Sequence, residues 1–467
     1  MGSTAYSIEG ALYELVARGN KDVYFIEDSK EAKNLFDNRY GPFPPHIHER
    51  RVLPALNTPD FGRSFEFQVE VAGDLFIDPT LLIDLPSWLP PTQAAQNSKS
   101  LCTDLSGVSY GYVNGIAYFL FEKIQLLQDN ILIQEFSGDA LWAVSRGRGS
   151  LNSAFLDNRL TGIHGGSALE IQRNATPGQL RLTLPLFGCQ SREDGGFPAV
   201  CIPQQFYRIR CFLRKLEDLV EASDGQVKPK PWGKTFQIKT SRLGSFTQFQ
   251  TLERQNIPTP NILLGTRHIY VEDDTKDGLR KASLEIPFER LYESIFTQSE
   301  WDYAPLYRGA TATITRRLEG VYPASSVISF FRSQKALSAN QLWNISNDIS
   351  GGEFYQNMKL IIAGRDRETL FSPLVWNKLV THAKLERDTG LPFAIMDWTR
   401  GDIRGRRSPY TRQPDGTINM STADRPDLYF ELQDIIVGQK KTELRSIVVS
   451  WGCMLIEKFR ATLLFGN

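Results

Sequence analysis

Short runs of alternating apolar and polar residues, punctuated by turn residues, dominate this chain. Phe65-Glu66-Phe67-Gln68-Val69-Glu70-Val71 alternates strictly, which puts Phe65, Phe67, Val69 and Val71 on one face of a strand. Gly73-Asp74 then predicts a turn into a second strand over Leu75–Leu85, interrupted at Pro79. The same signal predicts strands at Ala117–Leu127, Ile131–Phe136, Leu180–Leu184, Phe206–Leu213, Phe236–Thr240 and His268–Val271. Further along it predicts strands at Thr311–Thr315, Ser326–Phe331, Met358–Ala363, Phe393–Trp398, Leu428–Val437, Ser446–Leu455 and Phe459–Leu464. Asp129-Asn130 reads as a hairpin turn between two of them. Helical spacing is confined to Ser137–Val144, capped by Ser137 or Asp139, and to Arg214–Glu221 and Ser372–Arg387. With 36 Gly and 25 Pro spread along the chain, the pattern predicts a β protein of sandwiches or barrels.

The first forty residues carry apolar groups with nowhere local to go. Leu12, Leu15 and Val16 fall at helical spacing, Gly19-Asn20 stops that turn, and Asp22–Ile26 reads as a short extended segment with Tyr24. Leu35, Phe36 and Tyr40 follow before Pro42, Pro44 and Pro45. One or two helical turns are marginal alone in water, so this arm is expected to dock on another surface. Two stretches read as joints: the polar, Pro-rich Ser223–Trp232 and the charged Glu272–Lys281. The division this predicts is an arm at 1–24, a first β domain at 25–277 with an excursion at 223–260, and a second at 278–467.

Charge narrows the function. Lys+Arg and Asp+Glu are both 53; a general nucleic-acid binder would carry a basic excess. The five cysteines contain no C-x-x-C pair and are odd in number, so a secreted disulfide framework is not expected. Met1–Asn20 lacks an apolar signal core and no run approaches ~18 apolar residues. The expectation is a protein made in the cytosol.

No Walker A, G-x-G-x-x-G, G-x-S-x-G or H-E-x-x-H pattern is present. His46-Ile47-His48 could put two imidazoles on one strand face for a metal, as in a cupin-like oxygenase. Glu49 points to the other face and the next carboxylate, Asp60, lies beyond several prolines, so a solvated loop is expected instead. Glu272-Asp273-Asp274 and Asp277 could hold calcium, but Lys276, Arg280 and Lys281 beside them make a self-neutralising linker. Gly147-Arg148-Gly149 and Gly401–Arg407 read as small exposed basic patches, and Cys201 and Cys211 as buried apolar residues. Nothing assembles a nucleophile with a base. The expectation is a non-enzyme with no cofactor and no metal.

A resemblance then enters. Glu14–Phe25 (ELVARGNKDVYF) resembles the opening of the major capsid proteins of nucleocytoplasmic large DNA viruses, where a leu-val-ala-x-gly-x-x-asp-val-tyr stretch precedes the first barrel. Phe61-Gly62-Arg63 with Gly73-Asp74-Leu75, Ser137–Val144 with Trp142, and Leu184-Pro185-Leu186-Phe187 with Phe197-Pro198-Ala199-Val200 follow in the same order. Met358–Arg367 (MKLIIAGRDR) resembles the family's lys-ile/leu-x-leu-asn-gly-x-asp-arg strand and turn, with Ala363 in place of Asn. Asn419-Met420-Ser421, with Met for Phe, and the closing Gly466-Asn467 complete it; 223–260 has no clear counterpart.

The resemblance implies an all-β fold of two consecutive eight-stranded antiparallel jelly rolls, with short helices in the connections and an extended N-terminal arm. It implies a capsid subunit that forms a homotrimer and tiles an icosahedral virion shell against neighbouring capsomers. Minor capsid and penton proteins would be partners, with indirect contact to an internal viral membrane and no specific nucleic acid. Arm and interface candidates are Leu12, Leu15, Val16, Tyr24 and Phe36, and, from the aromatic-rich Leu284–Tyr307, Phe296, Trp301, Tyr303 and Tyr307; Trp88 is a further aromatic of this kind. Packing between the barrels is the competing reading of Leu284–Tyr307. Alternatives are a minor or penton-like jelly-roll protein, or a β-sandwich carbohydrate-binding protein or metal oxygenase.

Overall fold

The alternating runs pair into sheets by registers that place their apolar faces inward. The computed structural model describes residues 45–69, 73–87, 109–149, 158–165, 167–190, 196–223, 225, 230–232, 235–243, 246–253, 258–297, 313–347, 352–379, 389–399, 414–421, 426–432 and 442–464. In chain order the first half forms β1 (His46–Pro54), β2 (Ser64–Gln68), β3 (Leu75–Asp84), β4 (Tyr110–Tyr112), β5 (Phe121–Gln128) and β6 (Ile131–Ser137). It continues with β7 (Gln179–Thr183), β8 (Tyr207–Leu213), β9 (Val220–Ala222), β10 (Lys230–Trp232), β11 (Thr235–Leu243), β12 (Phe246–Glu253) and β13 (Asn261–Val271). The principal sheets run β1-β13-β3-β7 and β2-β8-β5-β6, while β10-β11-β12 make a separate three-stranded sheet and β4 pairs with β9.

The second half forms β14 (Leu284–Phe296), β15 (Thr313–Arg317), β16 (Pro323–Arg332), β17 (Tyr355–Ile362), β18 (Arg365–Asp366) and β19 (Ala394–Asp397). It ends with β20 (Ile418–Asn419), β21 (Asp427–Leu432), β22 (Glu443–Glu457) and β23 (Arg460–Leu463). Its sheets run β14-β22-β16-β19 and β15-β21-β17-β18. Numbering each half's eight principal strands by rank, both halves read 1-8-3-6 and 2-7-4-5. Every pairing is antiparallel. This order is the jelly roll, two facing Greek-key sheets, and the chain contains it twice.

Short helices occupy the connections: α1 (Ile116–Phe119), α2 (Gly138–Arg148), α3 (Ala168–Arg173), α4 (Asp273–Lys281) and α5 (Gln334–Ser338). Several expectations are corrected here. Ala117–Leu127 is helix α1 and then a strand, since Ile116–Phe119 is apolar on every side and lacks strand alternation, and polar positions begin only at Glu122. Arg214–Glu221 makes only a short 3₁₀ turn at Leu216–Asp218, because Val220–Ala222 is taken by pairing with β4. Of Ser372–Arg387, the described part is a π-helical turn at Leu374–Leu379. Pro79 does not interrupt β3: Asp78, at φ 52°, and Pro79 form a bulge opposite Thr266, and the strand continues to Asp84.

The expected loop at His46-Ile47-His48 is instead the start of β1, paired with β13 along its whole length. The charged stretch Glu272–Lys281 is not an unstructured linker but helix α4, with Asp273 and Asp274 in its first turn and Arg280 and Lys281 in its last, as the helix dipole favours. No described strand pairing crosses it. The hairpin at Asp129-Asn130 is as expected, with φ of 48° and 71°.

Two apolar clusters fill the barrels. One holds Phe65, Phe67, Ile124, Ile209 and Cys211, and the other Leu318, Phe331, Met358, Phe430 and Val448. The first cluster also takes in Ile328, Phe330, Phe393, Ile395, Ile447 and Val449 from the second half. Hence β16 and β22 are buried on both faces: Ile328 and Phe330 belong to one cluster, and Val327 and Phe331 to the other.

Candidate functional site

The described residues concentrate their chemistry at the seam where the first barrel meets the outer face of the β14-β22-β16-β19 sheet. Alongside β6 against β14, helix α2 is central to that contact. Its first turn is set by Ser137, whose Oγ accepts the Ala140 N–H at 2.9 Å. Gly138 follows because a Cβ there would fall 2.1 Å from the Tyr118 carbonyl oxygen. Trp142 then projects among Phe119, Phe330 and Phe393, with ring centroids 5.4, 5.7 and 5.4 Å away. One turn on, Gly147 lets the helix lie against Ile328 and Ile395, whose methyls are within 3.5 Å of where a Cβ would sit.

Charge closes the same seam. Asp139 is fully buried and accepts Nη2 of Arg332 at 2.5 Å, Nη2 of Arg214 at 2.5 Å and Nη1 of Arg445 at 2.9 Å. Burial alone would raise its pKa, but Arg332, Arg445 and Arg214 outweigh that and hold the carboxyl well below the usual range. Arg332 also donates to the Leu342 carbonyl, and Arg445 to Glu293 and Glu443. At the other end of α2, Arg148 forks onto Glu289 at 3.2 and 3.3 Å, both side chains being buried. Gln190 holds the Glu289 backbone through both its N–H and its C=O.

Two further links cross the seam. Glu221 accepts the Asn114 N–H and the Trp343 Nε1–H, each at 3.1 Å, with His164 Nε2 3.5 Å away. The Ala461 backbone is bracketed by first-barrel glutamines: Gln205 Oε1 takes its N–H at 2.8 Å and Gln128 Nε2 reaches its carbonyl at 2.8 Å. These groups are partnered by structure, with no nucleophile set against a base. No cluster of three or more His, Cys, Asp or Glu able to hold a metal occurs among the described residues.

Of the interface candidates, Leu12, Leu15, Val16, Tyr24, Phe36, Trp88, Trp301, Tyr303 and Tyr307 lie outside the described residues. Phe296 is half-buried against the second cluster, as is Tyr292, while Phe288 is fully buried in the first. His46 and His48 are exposed, their rings edge to face at 4.9 Å. Arg148 corrects the reading of Gly147-Arg148-Gly149 as an exposed patch: its partner Glu289 is 141 residues away, so no local pattern reveals it. Gly401–Arg407 lies outside the described residues. Cys201 and Cys211 are buried as expected.

The exposed apolar groups form sets that the alternation did not reveal. Leu370, Phe371, Leu374 and Leu379 sit together after β18. Ile131 and Leu132 lie at one end of the seam, Phe206, Phe459 and Leu464 are each next in sequence to residues there, and Ile47, Val52 and Leu56 lie on or beside β1.

No family model and no curated protein matches the sequence. Solved structures do match the fold. The PBCV-1 VP54 structure fitted into a reconstruction of the virophage Sputnik aligns at TM-score 0.68 and 13% identity, over 93% of this chain and all of that one. A quasi-atomic model of the PBCV-1 virus capsid aligns at TM-score 0.67 and 14% identity, over 93% of this chain and 100% of its own. The Faustovirus major capsid protein aligns at TM-score 0.60 and 11% identity, over 91% and 93%. The chain has the double jelly-roll fold of these capsid proteins.

Proposed function

We propose that this chain is a major capsid protein whose activity is self-association: a homotrimer whose six barrels form a capsomer tiling an icosahedral virion shell. The observation that carries the reading is an internal repetition. In the first barrel the connection after β6, helix α2, covers the outer face of the second barrel's β14-β22-β16-β19 sheet. In the second barrel the equivalent connection, after β18, carries the exposed Leu370, Phe371, Leu374 and Leu379. The equivalent sheet of the first barrel, β1-β13-β3-β7, presents Val52 with the half-buried Leu82 and Leu263 outward. Repeating the intrachain contact between copies gives a head-to-tail interface, which closes into a ring when the rotation allows. Three copies then place six barrels about one axis. The like fold of the PBCV-1 and Faustovirus capsid structures supports this use.

On this reading the division at about residue 277 separates two barrels of one tile, and residues 1–24 bind outside the trimer, to a neighbouring capsomer or a minor capsid protein. Penton proteins would be further partners, and an internal membrane would be met indirectly. The virion is the site of action and the host cytoplasm the site of synthesis. Sedimentation equilibrium of the purified protein tests it: a trimer is expected, dissociated by Leu374→Ser with Leu379→Ser at unchanged far-UV circular dichroism. A stable monomer at about micromolar concentration, where an obligate interface of ~2,000 Å² or more stays closed, overturns it.

A further inference from the structure

The seam opens at one end into a groove of about 670 Å³ between the β5–β6 turn of the first barrel and the β22–β23 hairpin of the second. Ile131 and Leu132 line it, and Phe206, Phe459 and Leu464 lie within one residue of its lining. Exposed apolar side chains at a groove of this kind mark a protein contact. The hairpin adds a second observation. Lys458 and Phe459 both hold left-handed backbone, at φ 50° and 64°. For a bulky side chain this is an outlier that Gly or Asn would relieve, yet the position displays a phenylalanine 42% exposed.

Charge specifies the occupant. Arg290 lines the groove, with its guanidinium 5.6 Å from the centre of the Tyr292 ring. Arg460 lines it too. The lining acid, Asp129, already accepts the Phe206 N–H at 2.9 Å. Two guanidiniums against one engaged carboxylate, between apolar walls, call for a carboxylate carried among apolar side chains. We propose that this groove binds a peptide segment of another protein in which a Glu or Asp lies between aromatic or aliphatic residues. The inference goes beyond the trimer reading, since neither the β18 connection nor the β1 sheet takes part.

The test is fluorescence anisotropy with full-length protein and two labelled peptides, GSVFEFVSG and its counterpart GSVFQFVSG. Saturable binding of the first is expected, weaker by about tenfold for the second, as for loss of a charge-assisted hydrogen bond. Arg290→Gln should bring both peptides to the weaker value. Phe459→Gly, which relieves the backbone, should stay folded and lose most of the binding. Equal binding of the two peptides, no effect of Arg290→Gln, or no binding at about millimolar peptide overturns the proposal. So does concentration-dependent self-association that Phe459→Gly abolishes, which would make the occupant a second copy. The trimer is read separately by sedimentation, so the two readings fail independently.

Discussion

Replacing Asp139 by Asn removes one charge from the seam and leaves its volume unchanged. The carboxylate contacts three guanidiniums, but they do not suffer equally. Arg445 keeps Glu293 and Glu443, and Arg214 is the most exposed of the three at 17% of its side chain. Arg332 is wholly buried and keeps the Leu342 carbonyl, the faces of Phe119 and Phe330, and a 3.6 Å approach to Glu443, but no hydrogen-bonded carboxylate. The loss is therefore close to that of one broken buried pair, about 3–5 kcal/mol, and not three times that. Asp139→Asn together with Arg332→Met should recover much of it, since an apolar replacement removes the stranded charge.

The assay is urea unfolding of wild type and Asp139→Asn from pH 3 to 7, followed by the fluorescence of tryptophan, with Trp142 at the seam. Because the folded-state pKa of Asp139 is depressed, its contribution is complete above the unfolded value of about 3.9. It is lost as pH falls toward the folded-state value. The difference between the two proteins should be flat from about pH 5 to 7 and shrink below about pH 4. A variant within about 1 kcal/mol of wild type at pH 7, or a gap that widens on acidification, refutes the assignment of Asp139 as the charged centre of the seam.

Other consequences can be measured directly. Ala363 holds φ 53° before Gly364 at 69° in the β17–β18 turn, so Ala363→Asn should stabilise by roughly 0.5–1 kcal/mol, read as a raised melting temperature. Trp142→Ala should cost about 3–5 kcal/mol in urea unfolding, because its ring fills space between both halves. Burial pushes the thiols of Cys201 and Cys211 up; a thiol-reactive dye at pH 8 should leave both unlabelled in native protein and label them in urea. If the chain trimerises as proposed, deleting residues 1–24 should leave that trimer in sedimentation while impairing lattice formation in electron micrographs; failure to fold would assign that segment to the core.

How much could be read from the sequence depends on how each strand is buried. β2, β8 and β17 each have one face in a core and one in water, and their alternation located them. β16 and β22 lie between two cores, so alternation vanishes and only an apolar run remains, too uniform to show which face meets which barrel. β1 fails for the opposite reason: its first half is exposed on both faces and its stability comes from pairing with β13, a partner over 200 residues away. The seam was least legible. Asp139 and Arg148 sit in an ordinary helical stretch, and what makes them decisive, Arg332, Arg445 and Glu289, comes from strands of the other half.

The shared interior also bears on how such a molecule can bend. Phe330 and Ile447 belong to the same cluster as Phe65 and Ile209, so flexing one half against the other would have to open dense apolar packing and part buried charges. Residues 46–464 should therefore bend little within themselves, and in an assembly of the kind proposed any curvature must be absorbed at the joints between copies.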